Sequence, residues 1–152
     1  MSFAPPPDDY DMIFVFGSNL SGIHGGGAAR YALDHHGAIW GQAEGPQGRS
    51  YALPTKDYDV KTTLSLNQIK GYVFNFLHYA ADHPDQKFQV TAVGCGLAGL
   101  RVEEVAPFFS PVVLVDRLNP DAASLGSSLK HVLLPPEFRE HFSYASDDRF
   151  WK

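Results

Sequence analysis

The chain has 152 residues, 44% of them hydrophobic and 19% charged, with a formal net charge of −5. That length fits one domain with a real core. The acidic balance excludes a non-specific nucleic-acid binder, whose affinity comes from clustered Lys and Arg.

The first residues, MSFAPPPDDYD, lack the basic and apolar regions of a signal peptide, and no stretch is apolar and long enough to span a bilayer. Cys95 is the single cysteine, so no internal disulfide forms and a reducing compartment is implied. A cytoplasmic protein without membrane contact is expected.

Residues 1–11 read as a leading segment, because Pro5-Pro6-Pro7 resists helix and strand alike. Met12 to Phe16 is short, apolar and bounded by glycine, which predicts a buried strand. A helix follows from about Gly26 to His36, with Gly37 as a left-handed stop. Ala38 to Arg49 is loop-like, and Ser50 to Pro54 predicts a second strand ahead of a polar turn at Thr55 to Asp59.

Ser65 to His83 is the clearest helix. Ser65 can cap it, Ile69, Tyr72, Val73, Phe76, Leu77 and Ala80 recur at helical spacing, and Pro84 ends it. Phe88 to Val93 predicts a strand, GCGLAGL a turn, and Val102 to about Phe109 a short helix. Pro111 to Asp116 reads as a strand, Asn119 to Ser128 as loop or helix, and His131 to Leu134 as the last strand. Strands alternate with helices, so the expected class is a three-layer α/β/α domain with a mostly parallel mixed sheet. It covers residues 12–142, with a tail over 143–152.

Two glycine-rich segments, NLSGIHGGGAAR and GCGLAGL, leave predicted strands at the edge where α/β sheets bind ligands. Glycine lets backbone N–H groups approach a ligand closely, and a helix N-terminus behind the loop favours an anion. Two such loops on neighbouring strands can grip a diphosphate from both sides; tight turning alone is the alternative reading.

The run NLSGIHGGGAARYAL resembles the first binding loop of macro domains, and VTAVGCGLAGLRVEEVAPFF resembles their second. The chain is most similar in kind to small bacterial and phage macro-like proteins. The resemblance implies a domain that binds ADP-ribose or a related nucleotide diphosphate, free or on an ADP-ribosylated macromolecule, and in some members hydrolyses ADP-ribose linkages. A non-catalytic reader of the same nucleotide is the alternative.

The ligand-binding residues so implied are Gly17, Ser18, Asn19, Gly25, Gly26, Gly27 and Ala28 on the first loop. Gly94, Cys95, Gly96, Leu97, Ala98 and Gly99 form the second. Asn19 would sit at the ribose beyond the diphosphate. The family's adenine-binding aspartate falls near Asp8, Asp9 and Asp11, among which no choice is made.

GCGLAG also matches G-x-G-x-x-G, with Asp116 about twenty residues on, as a Rossmann dinucleotide fingerprint asks. Pro107 interrupts the helix such a fold needs, which makes this the minority reading.

Catalytic candidates are Asn19, His24 and Asp57. His24 stands between glycines, where an exposed imidazole titrates near neutral pH; a solvated loop histidine is the alternative. Lys56 and Asp57 follow the SYALPT strand at the ligand edge. Some ADP-ribosyl-processing macro domains pair a lysine nucleophile with an aspartate. Glu44 is a further candidate base, and Cys95 either a helix-activated thiolate or a packing residue. Trp40 and Tyr51 are candidates to stack on a base. No His, Cys, Asp or Glu grouping has metal-ligand spacing, so neither metal nor cofactor is expected.

Overall fold

A computed structural model describes residues 11–113 and 129–143. Residues 1–10 of the leading segment, the tail beyond Ser143 and the Asn119–Ser128 stretch lie outside the described residues.

Among the described residues, five strands form one sheet in the order β2-β3-β1-β4-β5. β1 is Met12–Asn19, β2 Gly45–Gln47, β3 Ser50–Lys56, β4 Lys87–Val90 and β5 Val132–Leu133. β1 lies parallel to β3 and β4, β4 parallel to β5, and only β2 runs antiparallel, on the edge beside β3.

Alternate residues of β1 enter different cores, as the two-residue period of a strand requires. Phe14 and Phe16 join Ala29 and Ala32 of α1 (Gly27–His35) on one face. Val15 joins the opposite face with Ile69, Val73, Phe76, Leu77 and Ala80 of α2 (Leu66–Asp82). Val105 of α3 (Val102–Val105), Phe109 of the following 3₁₀ turn and Val113 of α4 (Ser110–Val113) pack there too, as do Phe138 and Phe142 of α5 (Pro136–Ser143). The small alanines let α1 lie close on the sheet. The expected three layers are present.

α2 begins as its sequence asks: the Ser65 hydroxyl accepts from the Gln68 N–H at 3.2 Å, and the Gln68 amide oxygen accepts from the Ser65 N–H at 3.0 Å. Other segments depart from expectation. β1 runs on through Asn19. β2 arises inside the segment read as loop, its Pro46 tolerated because the strand is at the sheet edge. Residues 111–113, expected to start a strand, are helical in α4, since an apolar run that short fits either state and proline is admitted in a first turn. Leu114 to Asp116 lie outside the described residues. α5 was not expected at all.

Candidate functional site

β1 and β3 end side by side, with Asn19 opposite Lys56 across a shift in register. There the Asn19 side chain folds onto its own loop: Nδ2 donates to Ile23 O at 2.8 Å, and Oδ1 accepts from Ile23 N–H at 3.0 Å. This clasp turns the chain over the sheet edge toward α1. A second constraint is the contact with the 38–44 loop, where Gly41 N–H donates to Gly22 O at 2.8 Å.

α1 then starts at Gly27 behind an extended Gly26 (φ −157°, ψ 167°), with no side-chain cap and no acidic residue in its first turn. The first intrahelical bond is Arg30 N–H to Gly26 O at 3.1 Å. The amides of Gly27, Ala28 and Ala29 therefore have no carbonyl within the helix, and no acidic residue of the first turn offsets the positive end of its dipole.

The second loop leaves β4 beside β1. A Cβ on Gly17 would lie 3.6 Å from Gly94 N and 3.3 Å from Thr55 Oγ1, so the bare backbone of β1 lets the loop pass against it. Within the loop, Cys95 N–H is spent on Ala92 O, Gly99 N–H on Gly96 O and Leu100 N–H on Gly94 O. The amides of Gly96, Leu97 and Ala98 make no such bond among the described residues. Leu97 reaches across to the first loop: its Cδ1 would stand 3.7 Å from a Cβ on Gly26 and 3.2 Å from one on Gly27, which has φ +56°. The two loops thus meet.

A third segment closes the edge. The turn after β3 takes a bond from Ser21 Oγ at Tyr58 O (2.7 Å), while Thr63 Oγ1 donates to Ala98 O (2.7 Å). It therefore ties the first loop to the second.

These segments, with residues of β4, α4, β5 and α5, line a cavity of about 1410 Å³. Gly17, Ser18, Asn19, Gly25, Gly26, Gly27 and Ala28 line it from one loop, and Gly94, Cys95, Gly96, Leu97 and Ala98 from the other. Gly99 does not line it. Among the described residues its charged walls are Lys56, Lys130 and Arg139 against one carboxylate, Glu137. A chain of net charge −5 has concentrated positive charge here, which favours an anionic ligand.

Several sequence candidates stand elsewhere. His24 was expected exposed; it is 0% exposed. Its Nε2–H meets Gln47 Oε1 at 3.2 Å and its ring edge packs on Phe16 with centroids 5.2 Å apart. It is not part of the cavity wall. The physical reason is the β2 strand, which brings Gln47 beneath the loop. Gln47 also accepts from Ile39 N–H at 2.7 Å and donates to Gln42 O and Gly45 O, so one buried amide organises three segments.

Asp57 is half-buried just past the cavity wall, its Oδ1 accepting from Tyr58 N–H at 2.7 Å. Lys56, its neighbour, lines the cavity and has no ion-pair partner among the described residues. Burial, then Glu137, Glu103 and Glu104, push the Cys95 thiol up to about 11, the reverse of an activated thiolate. Glu44 accepts from Asn75 Nδ2, Tyr51 is buried against Phe76 and Tyr79, and Trp40 is exposed off the cavity wall. No cluster of three or more candidate metal ligands exists among the described residues, and none of their helices is long and apolar enough to cross a membrane.

Gln47, Val60, Lys130 and Arg139 carried no signal in the sequence. Each depends on contacts between distant segments. The dinucleotide reading expected a strand ending at Asp116; residues 111–113 are instead helical, and Asp116 lies outside the described residues.

Sheet order, layering and the cavity at the carboxyl ends of β1, β3 and β4 define a three-layer α/β domain with a glycine-lined cavity at one edge of the sheet. Among solved structures, the chain is similar to the macrodomain of Mycobacterium tuberculosis DarG. The TM-score is 0.56 at 17% identity, over 89% of this chain and 97% of that one. The chain has the macrodomain fold, as its two glycine loops implied. At that identity the likeness concerns the fold. No protein-family model and no curated protein sequence matches the chain.

Proposed function

We propose that this protein binds ADP-ribose or a related nucleotide diphosphate in the glycine-lined cavity. The observation that carries the reading is the meeting of two sets of amides with no backbone acceptor among the described residues, Gly27 to Ala29 at the α1 start and Gly96 to Ala98 in the second loop, on one cavity whose described charged residues are mostly basic. Amide donors to a charged acceptor are worth about 1.5–3 kcal/mol each. Four such bonds, with the helix dipole, suffice for a diphosphate once the costs of association are met. The macrodomain fold supports the same ligand class.

Calorimetric titration with ADP-ribose, ADP, NAD and adenosine tests this. Diphosphates should bind and adenosine should not. Adenosine binding as tightly as ADP-ribose would remove the diphosphate site from the account.

A second reading, hydrolysis of an ADP-ribose adduct on a macromolecule, is favoured by Lys56, a cavity lysine beside Asn19 with no carboxylate partner among the described residues. In this version the loops hold the diphosphate, Asn19 orients the ribose, and Lys56 or Asp57 serves the bond to be broken. Release of ADP-ribose from a modified peptide or oligonucleotide, measured for Lys56→Ala and Asp57→Ala, separates the two. No release by wild type removes this reading and leaves the binding module, whereas release unaltered in both variants removes Lys56 and Asp57 from the reaction.

A further inference from the structure

The tip of the second glycine loop is held by few bonds. Gly99 N–H donates to Gly96 O at 3.0 Å, closing a turn with Leu97 and Ala98 at its centre. A trans peptide carries its C=O and the next N–H on opposite sides. Gly96 O faces into the turn, so the Leu97 N–H faces out of it. A Cβ on Gly96 or Gly99 would meet nothing within 4 Å, so neither position is packed against a neighbour. Leu97 is 59% exposed.

One side chain ties this turn to the body of the fold. The Thr63 hydroxyl donates to Ala98 O at 2.7 Å. The peptide between Ala98 and Gly99 is thus held on both sides, its N–H by Gly96 O and its C=O by Thr63.

Thr63 itself has a firm base. Beyond β3 the chain doubles back, with Asp57 N–H donating to Thr62 O at 2.8 Å and Leu64 N–H to Thr55 O at 2.9 Å, and Lys56 facing Thr63 in an antiparallel bridge. The turn between is closed by Val60 N–H on Asp57 O at 3.0 Å. The Asp59 carboxylate closes it further, accepting from Lys61 N–H at 2.9 Å and Thr62 N–H at 2.8 Å. Leu97 and Ala98 line the cavity, whereas Thr63 does not.

We propose that Thr63 is a positioning residue for the diphosphate site: its hydroxyl fixes the tip of the second loop, so that the loop's amides are ordered before a ligand arrives. This rests on the binding reading above. A glycine-rich turn without that tie samples many conformations, and a ligand must then meet the entropy of ordering it.

The test is calorimetry of the full chain with ADP-ribose and with ADP, on wild type, Thr63→Val and Thr63→Ser, alongside thermal melting. Valine keeps the shape and loses the hydroxyl; serine keeps the hydroxyl. Thr63→Val should bind both diphosphates about tenfold more weakly, the equivalent of ordering about one residue's backbone on binding. Its Tm should stay within about 5 °C of wild type, since one hydrogen bond is lost. Thr63→Ser should bind within about threefold of wild type, because the bond is retained. Unaltered affinity in Thr63→Val overturns the proposal with the binding reading intact. Equal losses in both variants overturn it, since the methyl group and not the hydroxyl would matter. A loss confined to ADP-ribose overturns it too, because the tie would then act away from the diphosphate. So does a larger fall in Tm for Thr63→Val, which would make the tie a support of the fold. Failure of wild type to bind either diphosphate overturns both readings together.

Discussion

Gly26→Val is the sharpest perturbation of the first loop. Gly26 is extended, with φ −157° and ψ 167°, a conformation any residue adopts. An added Cβ would meet nothing nearer than Leu97 Cδ1 at 3.7 Å, an ordinary contact. The fold should therefore tolerate the change at about 1 kcal/mol, the usual loss when an apolar residue replaces a good N-cap. The contact with Leu97 also shows where the new side chain goes, into the gap between the loops and ahead of the Gly27 and Ala28 amides. Blocking two amide bonds to phosphate at about 1.5 kcal/mol each removes about 3 kcal/mol, a factor of about 100 in Kd. Calorimetry with ADP-ribose and a parallel melt read the two quantities separately. Affinity within threefold of wild type, on a folded variant, would refute the assignment of α1 as the diphosphate-binding helix.

Gly22→Ala should be far more disruptive and for another reason: its Cβ would lie 2.4 Å from Gly41 C at φ +68°, so backbone must move, and a loss of more than about 3 kcal/mol is expected by chemical denaturation. Gln47→Ala strands the buried His24 imidazole and the Ile39 N–H, which costs about 3 kcal/mol and about 10 °C in Tm; a Tm change under about 2 °C contradicts that network. The Cys95 thiol, pushed up to about 11 chiefly by burial, should resist iodoacetamide at pH 8 in the folded protein and react fully in denaturant. Because the folded state holds that proton more tightly than the unfolded one, Cys95 stabilises the fold below about pH 8.5. That advantage is lost as pH rises toward about 11, so wild type should lose stability relative to Cys95→Ala across that interval.

What the sequence revealed of this fold was whatever depends on neighbours in the chain. α2 was legible because its apolar residues recur every three or four positions behind a Ser-x-x-Gln box. β1 and β3 were legible as short apolar runs, and both glycine loops because glycine clusters after strands are rare without a reason. β2 was not, since three residues with proline carry no period, and it exists only by pairing with β3. α5 had a faint signal in Pro136 at its start and Phe138 and Phe142 four apart, but the run is mostly polar.

The candidate site was legible as a place and not as a set of roles. Gly17, Ser18, Asn19, Gly25, Gly26, Gly27 and Ala28 of the first loop and Gly94 through Ala98 of the second do line one cavity. Which amides remain unused was invisible, because Cys95 and Gly99 spend theirs inside the loop. His24 looked exposed because nothing local announces Gln47, which lies 23 positions away in sequence. Nothing in the sequence marked the left-handed backbone of Val60 (φ 58°), since conformation at one position is set by bonds at both ends of the turn.

Backbone amide chemical shifts of isotope-labelled protein, followed during titration with ADP-ribose, test the central claim most directly. The account predicts the largest saturable displacements at Gly27, Ala28 and Ala29 together with Gly96, Leu97 and Ala98, two separate segments responding as one site. Binding that moves only one of these segments, or neither, would contradict it.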